Sequence, residues 1–213
     1  MKKKLFAAAA LMLGLSALAQ EQPPLEATGI VRYGLKGGLN VASLRGDVDE
    51  PSPRLGVHFG VTAEIRVSER FSIQPELMYS MQGIKEEGSL MIDGNFVEGE
   101  ATTKLDYIIL PIMAKIYMTE GFTLEVGPQI GLLNSARVKY DIRSSTDTFS
   151  GSTDISNQMK SLDFAVNAGL GYKLPSGLFF QGRYTLGLTN AYDGDEAEIK
   201  NGVVQFSIGY QFK

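Results

Sequence analysis

From residue 204 to residue 212 every second side chain is apolar: Val204, Phe206, Ile208, Tyr210 and Phe212. The residues between them, Gln205, Ser207, Gly209 and Gln211, are polar or carry no side chain. A strict period of two puts the two sets on opposite faces of a β-strand. The polar set has the character of a lining and the apolar set that of an outer coat. Such a strand has hydrocarbon on one side and a narrow polar lumen on the other.

Seven earlier segments repeat the plan, at about 30–42, 54–67, 71–83, 104–118, 122–134, 162–174 and 178–189. In the second, Leu55, Val57, Phe59, Val61, Ala63, Ile65 and Val67 alternate with His58, Thr62, Glu64, Arg66 and two glycines. The fourth is apolar on both faces from Tyr107 to Met113, and only an inward Lys115 sets its register, turning Ile108, Leu110, Ile112 and Ile116 outward. Apolar residues do not recur at i, i+3, i+4 and i+7, which excludes amphipathic helices.

The connections alternate in length. Residues 68–70, 119–121 and 175–177 are tight reversals, while 43–53, 84–103, 140–160 and 190–200 are long and polar. Short periplasmic turns and longer extracellular loops are the asymmetry of a bacterial outer-membrane barrel. Phe71, Tyr117, Phe122, Tyr172, Tyr210 and Phe212 gather at the turn-side strand ends, as an interfacial girdle does. The expected fold is therefore all-β: an eight-stranded antiparallel up-and-down transmembrane β-barrel with short periplasmic turns and long extracellular loops. The rival is a soluble barrel of the lipocalin kind, which would pack the same apolar set inside.

The start of the chain agrees with export. Lys2, Lys3 and Lys4 precede an apolar run that closes on Ala17-Leu18-Ala19, a small-x-small cleavage pattern. This predicts a signal peptide over 1–19, a short leader over 20–29 and the barrel domain over 30–213. There is no cysteine, hence no disulfide framework. Loss of the three N-terminal lysines leaves 17 basic against 24 acidic residues, a net charge of −7. That balance argues against nucleic acid as a partner, because phosphate neutralisation needs clustered Lys and Arg.

The inward charges expected are Arg32, Lys36, Glu64, Arg66, Glu76, Lys115, Glu125, Lys173 and Arg183. An eight-stranded lumen is only wide enough for its own side chains. The acids must then pair with the bases, because unpaired buried charge is costly. Glu64, Glu76 and Glu125 are expected to face Lys36, Arg66 and Arg183. The sole histidine, His58, is weighed as a packed lumen residue against the base of a lipid-hydrolysing Ser/His/acid triad. Its same-face strand neighbours are Gly56 and Gly60, and its own strand offers no serine beside it. Asp193, Asp195, Glu196 and Glu198 lack the spacing of a calcium loop and read as a solvated acidic loop. No catalytic, cofactor or metal residues are assigned.

The segment GLKGGLNVASL at 34–44, the Leu110-Pro111-Ile112 centre of the fourth strand and the closing GYQFK together resemble the small outer-membrane β-barrel or porin-family domains of Gram-negative bacteria. The resemblance covers the mature chain. It implies residence in the cell outer membrane, with contacts to outer-membrane lipid and lipopolysaccharide and, during biogenesis, to periplasmic chaperones and the barrel-assembly machinery. Tyr210 and Phe212 resemble the aromatic ending that this machinery reads, with the departure that Lys213 follows. The expected function is a monomeric, non-enzymatic scaffold displaying surface loops for envelope integrity or surface interaction. A narrow ion or small-solute pore and a lipid-modifying enzyme are the alternatives.

Overall fold

The computed structural model describes residues 31–46, 52–92, 95–144, 148–192 and 199–212. The expected signal peptide, the leader, the acidic group Asp193, Asp195, Glu196 and Glu198, and Lys213 lie outside the described residues.

Among the described residues nine strands follow in order: β1 (Val31–Gly46), β2 (Ser52–Arg66), β3 (Phe71–Ile92), β4 (Asn95–Tyr117), β5 (Phe122–Ser144), β6 (Thr148–Asp154), β7 (Leu162–Lys173), β8 (Leu178–Gly187) and β9 (Ile199–Gln211). Eight of them form a ring. Each of β1 to β5 pairs antiparallel with the next, β5 with β7, β7 with β8, and β8 with β9. The closing β9 then returns to β1, with Phe206 opposite Leu39. β6 stands apart and pairs only with the far half of β5, Arg137 opposite Asp154 through Arg143 opposite Thr148. Ring closure satisfies backbone donors and acceptors that an open sheet edge would leave bare in lipid.

Three short reversals join strands at one end. Val67 N–H donates to Phe71 O at 3.0 Å, Met118 N–H to Phe122 O at 3.0 Å, and Leu174 N–H to Leu178 O at 2.8 Å. Gly177, in the last of them, has φ +95°, a conformation that disfavours side chains.

Two polar segments expected as loops continue the β-ladder instead. β3 and β4 stay paired to Ile92 opposite Asn95, and β5 pairs with β4 to Ser144. Alternation disappears there because both faces meet water, so no hydrophobic pattern marks a strand. The backbone ladder needs no such pattern.

The outer face carries the large apolar side chains: Leu55 is 72% exposed, Phe59 55% and Phe206 59%. Inward lie Glu76 at 1% and Arg183 at 4%. A soluble barrel would show the opposite assignment. Lys115 is inward, and Ile112 and Ile116 face out, so the register of β4 is the one its lysine implied.

Candidate functional site

Seven of the candidate residues, Lys36, Glu64, Glu76, Lys115, Glu125, Lys173 and Arg183, meet in the lumen because each sits at an inward position of a different strand. Arg183 on β8 places Nη1 and Nη2 at 2.9 Å from the two oxygens of Glu76 on β3, a bidentate pair. The same guanidinium lies 3.4 Å from Glu125 Oε2 on β5. Lys36 Nζ on β1 is 2.9 Å from Glu76 Oε2. It also donates to Gln181 Oε1 at 3.0 Å, and Gln181 donates its amide to both Glu125 oxygens.

Nearer the turns, Lys115 Nζ lies 3.5 Å from Glu125 Oε1 and 3.7 Å from Glu64 Oε2. Glu64 also meets Lys173 Nζ at 3.6 Å and accepts from Gln211, Ser72 and the Tyr117 hydroxyl. Three carboxylates thus face four cations, with glutamines supplying donors and acceptors between them. Such geometry is what makes buried charge tolerable, since each ion keeps partners after losing water.

Two of the expected inward charges depart from the expected pairing. Arg66 does not face a glutamate; its guanidinium stacks 4.2 Å from the centre of the Tyr117 ring and donates to the carbonyls of Ser68 and Glu69. It is the last residue of β2, so the carbonyls of the following turn lie closer to it than any lumen acid. Arg32 sits opposite Glu64 in the β1–β2 register, yet among the described residues it makes no ion pair within 4.0 Å. Both are half-buried at the turn-side mouth.

Above the charges is a neutral layer centred on His58. Asn40 Nδ2 donates to Ser80 Oγ at 3.0 Å and Met81 O at 2.8 Å, so Asn40 Oδ1 is left to accept. It accepts from Gln205 at 3.1 Å and from His58 Nδ1 at 2.7 Å. That assignment makes His58 Nε2 the acceptor for the Ser207 hydroxyl, 2.8 Å away. Strand neighbours of His58 gave no hint of this serine. His58 pairs with Gly38 on β1, and Gly38 pairs with Ser207 on β9. The bare backbone at Gly38 lets the imidazole reach across a whole strand. The Ser–His–Asn order is one that can activate a hydroxyl, but His58 is 1% exposed and Ser207 7%.

Toward the loops the lumen carries an apolar cluster, not expected from the sequence, beside buried Asp163 and Asn201, which hydrogen-bond each other and, through Asp163, Thr189. Leu44, Met78, Leu105, Tyr107 and Ile109 form a buried cluster, and Met159 closes on it from the 155–161 segment. That segment is held by a 3₁₀ turn, Ser156–Gln158, and by a bridge between Met159 and Tyr192. At its start Ser156 hydrogen-bonds the Asp154 carboxylate and so holds it below its ordinary pKa. The double apolar pattern of the fourth strand was the available signal: Leu105, Tyr107, Ile109 and Met113 are its inward half. Past the plug, the β3–β5 extension forms a cavity of about 390 Å³ lined by Glu87, Glu98, Glu100, Asp141 and Arg143, among others. Among the described residues no group of three or more His, Cys, Asp or Glu converges to hold a metal.

Residues 18–193 match the family model of the outer membrane protein beta-barrel domain. The chain belongs to that outer-membrane β-barrel family. Its location is accordingly the outer membrane. Among curated protein sequences none matches. Similar solved structures include Ail, the attachment invasion locus protein of Yersinia pestis, at 14% identity over 85% of this chain and 98% of that one, with TM-score 0.47. Neisserial surface protein A is similar at 9% identity over 84% and 97%, with TM-score 0.43. The outer membrane protease OmpT of Escherichia coli is similar at 10% identity over 86% and 94%, with TM-score 0.37.

Proposed function

We propose that this family member is a non-enzymatic, monomeric scaffold whose sealed barrel holds a set of polar segments beyond the outer leaflet for envelope integrity or surface interaction. The observation that carries this reading is the filled lumen. Paired charges occupy its turn side, and the Leu44, Leu105, Tyr107 and Met159 plug occupies its loop side. A solute would have to break the Arg183–Glu76 bidentate pair and displace the plug as well. Conductance in planar bilayers is therefore expected to stay at baseline for the wild type. Steady single-channel currents would favour the narrow pore instead.

The lipid-modifying alternative would need His58 and Ser207 to meet an acyl chain. Their burial inside the ring, with the apolar outer face between them and lipid, supports the non-enzymatic reading. Loss of a measured lipid-hydrolase activity in His58→Ala would reverse it. Tyr210 and Phe212 sit on the outer face with ring centres 5.6 Å apart, edge to face. In this reading they remain the segment recognised by the assembly machinery. Limited proteolysis of intact cells tests the orientation, with cuts expected only in 43–53, 84–103, 140–160 and 190–200.

A further inference from the structure

The net-acidic chain gathers cations on one outward patch at the loop-side border of its apolar belt. Antiparallel register places Lys104 of β4 opposite Arg137 of β5, and one strand over Gly83 of β3 lies opposite Lys104. Arg54 of β2, at an irregularity in the β2–β3 ladder, donates to the Gln82 carbonyl on β3, which brings its charge close to Lys104. Lys139 sits two residues further along β5, opposite Thr102. Inward Leu105 and Ala136 fix the face, so Lys104, Arg137 and Lys139 point outward. Neighbouring strands are about 4.8 Å apart, so these charges are crowded. Lys104 feels both Lys139 and Arg54 as close positive neighbours.

The crowding is poorly compensated from within the chain. Among the described residues none of Arg54, Lys104, Arg137 and Lys139 has a carboxylate within ion-pair distance. Lys85 in the adjoining row is neutralised by Glu100 at 3.0 Å. Asp106 contributes attraction to Arg54 and Lys104 while interacting with Tyr79, and Asp154 lies opposite Arg137, which leaves the patch net positive. On the turn side of it, past Asp106 and Ser135, the outer face becomes apolar with Leu132, Ile130 and Ile112. Cations just beyond hydrocarbon lie at headgroup depth, where phosphate is the abundant anion.

We propose that Arg54, Lys104, Arg137 and Lys139 bind the phosphate groups of a phosphorylated glycolipid in the outer leaflet. The inference rests on the loop end facing outward. Surface proteolysis tests that orientation separately, because lipid retention in vitro does not depend on it.

The test uses the full chain refolded in phosphatidylcholine nanodiscs doped with bisphosphorylated lipid A, lipid A stripped of both phosphates, or phosphatidylglycerol at equal charge. Lipid retained after detergent extraction is counted. The triple variant Lys104→Gln/Arg137→Gln/Lys139→Gln should bind bisphosphorylated lipid A on the order of a hundredfold more weakly, and Lys139→Gln alone about fivefold. Arg70→Gln, exposed at the turn end, should change nothing. Phosphate removal should match the triple variant, and phosphatidylglycerol should be retained far less than bisphosphorylated lipid A. Undiminished retention by the triple variant, equal retention of stripped lipid A, or equal retention of phosphatidylglycerol would each overturn the proposal. If the triple variant fails to refold, the exposed Lys139→Gln decides the matter alone.

Discussion

The two halves of the lumen solve one problem in opposite ways. Toward the turns, the space inside the ring is filled by ions held at 2.9 to 3.7 Å; toward the loops it is filled mainly by Leu44, Leu105, Tyr107, Ile109 and Met159, with Asp163 and Asn201 hydrogen-bonded among them. The polar half resists disruption because removing one ion strands its partners in a low-dielectric interior. The apolar half resists by packing, and its losses scale with the cavity left behind. A lumen need not be wet to be polar, nor polar along its whole length.

The largest expected effect comes from breaking the charged half at its centre. Glu76→Ala leaves Arg183 and Lys36 without their shared carboxylate and should cost about 3–5 kcal/mol in urea unfolding from detergent micelles. Leu105→Ala opens the apolar half and should cost about 2–4 kcal/mol in the same assay, with the ion pairs intact. If Leu105→Ala proved the costlier, the division of labour drawn here would be reversed. His58→Ala removes one side of the neutral layer and should cost about 1–2 kcal/mol, through the unpaired groups on Asn40 and Ser207. Lys85→Gln breaks an ion pair beyond the barrel with both side chains 42% exposed, and should stay within about 0.5 kcal/mol.

The parts legible in the sequence were those where two environments differ across a strand. Phe206 against Gln205 and Phe59 against His58 mark a lipid face and a lumen face, and period two follows. Where both sides of the sheet are alike, the signal vanishes. The β3–β5 extension is wet on both faces and reads as loop, although its ladder runs to Ile92 opposite Asn95. Tyr107 to Met113 is apolar on both faces, and the inward half was the plug rather than noise in the pattern. Lumen charges could be named from alternation, but their partners could not. Pairing depends on cross-barrel reach, which puts Arg183 beside Glu76 at a sequence separation of 107 and leaves Arg66 stacked on Tyr117 at the mouth. Ser207 was invisible as a partner of His58 because the contact crosses a glycine on an intervening strand.

The central claim is that the greasy face of each strand touches hydrocarbon while the polar face is shut inside a closed ring. The chain has no cysteine, so single substitutions at successive positions from Val203→Cys to Phe212→Cys can each carry a nitroxide in lipid bilayers. Accessibility to oxygen dissolved in the lipid should alternate with period two, with maxima at positions 204, 206, 208, 210 and 212. Maxima at 205, 207, 209 and 211, or a flat profile, would contradict the account.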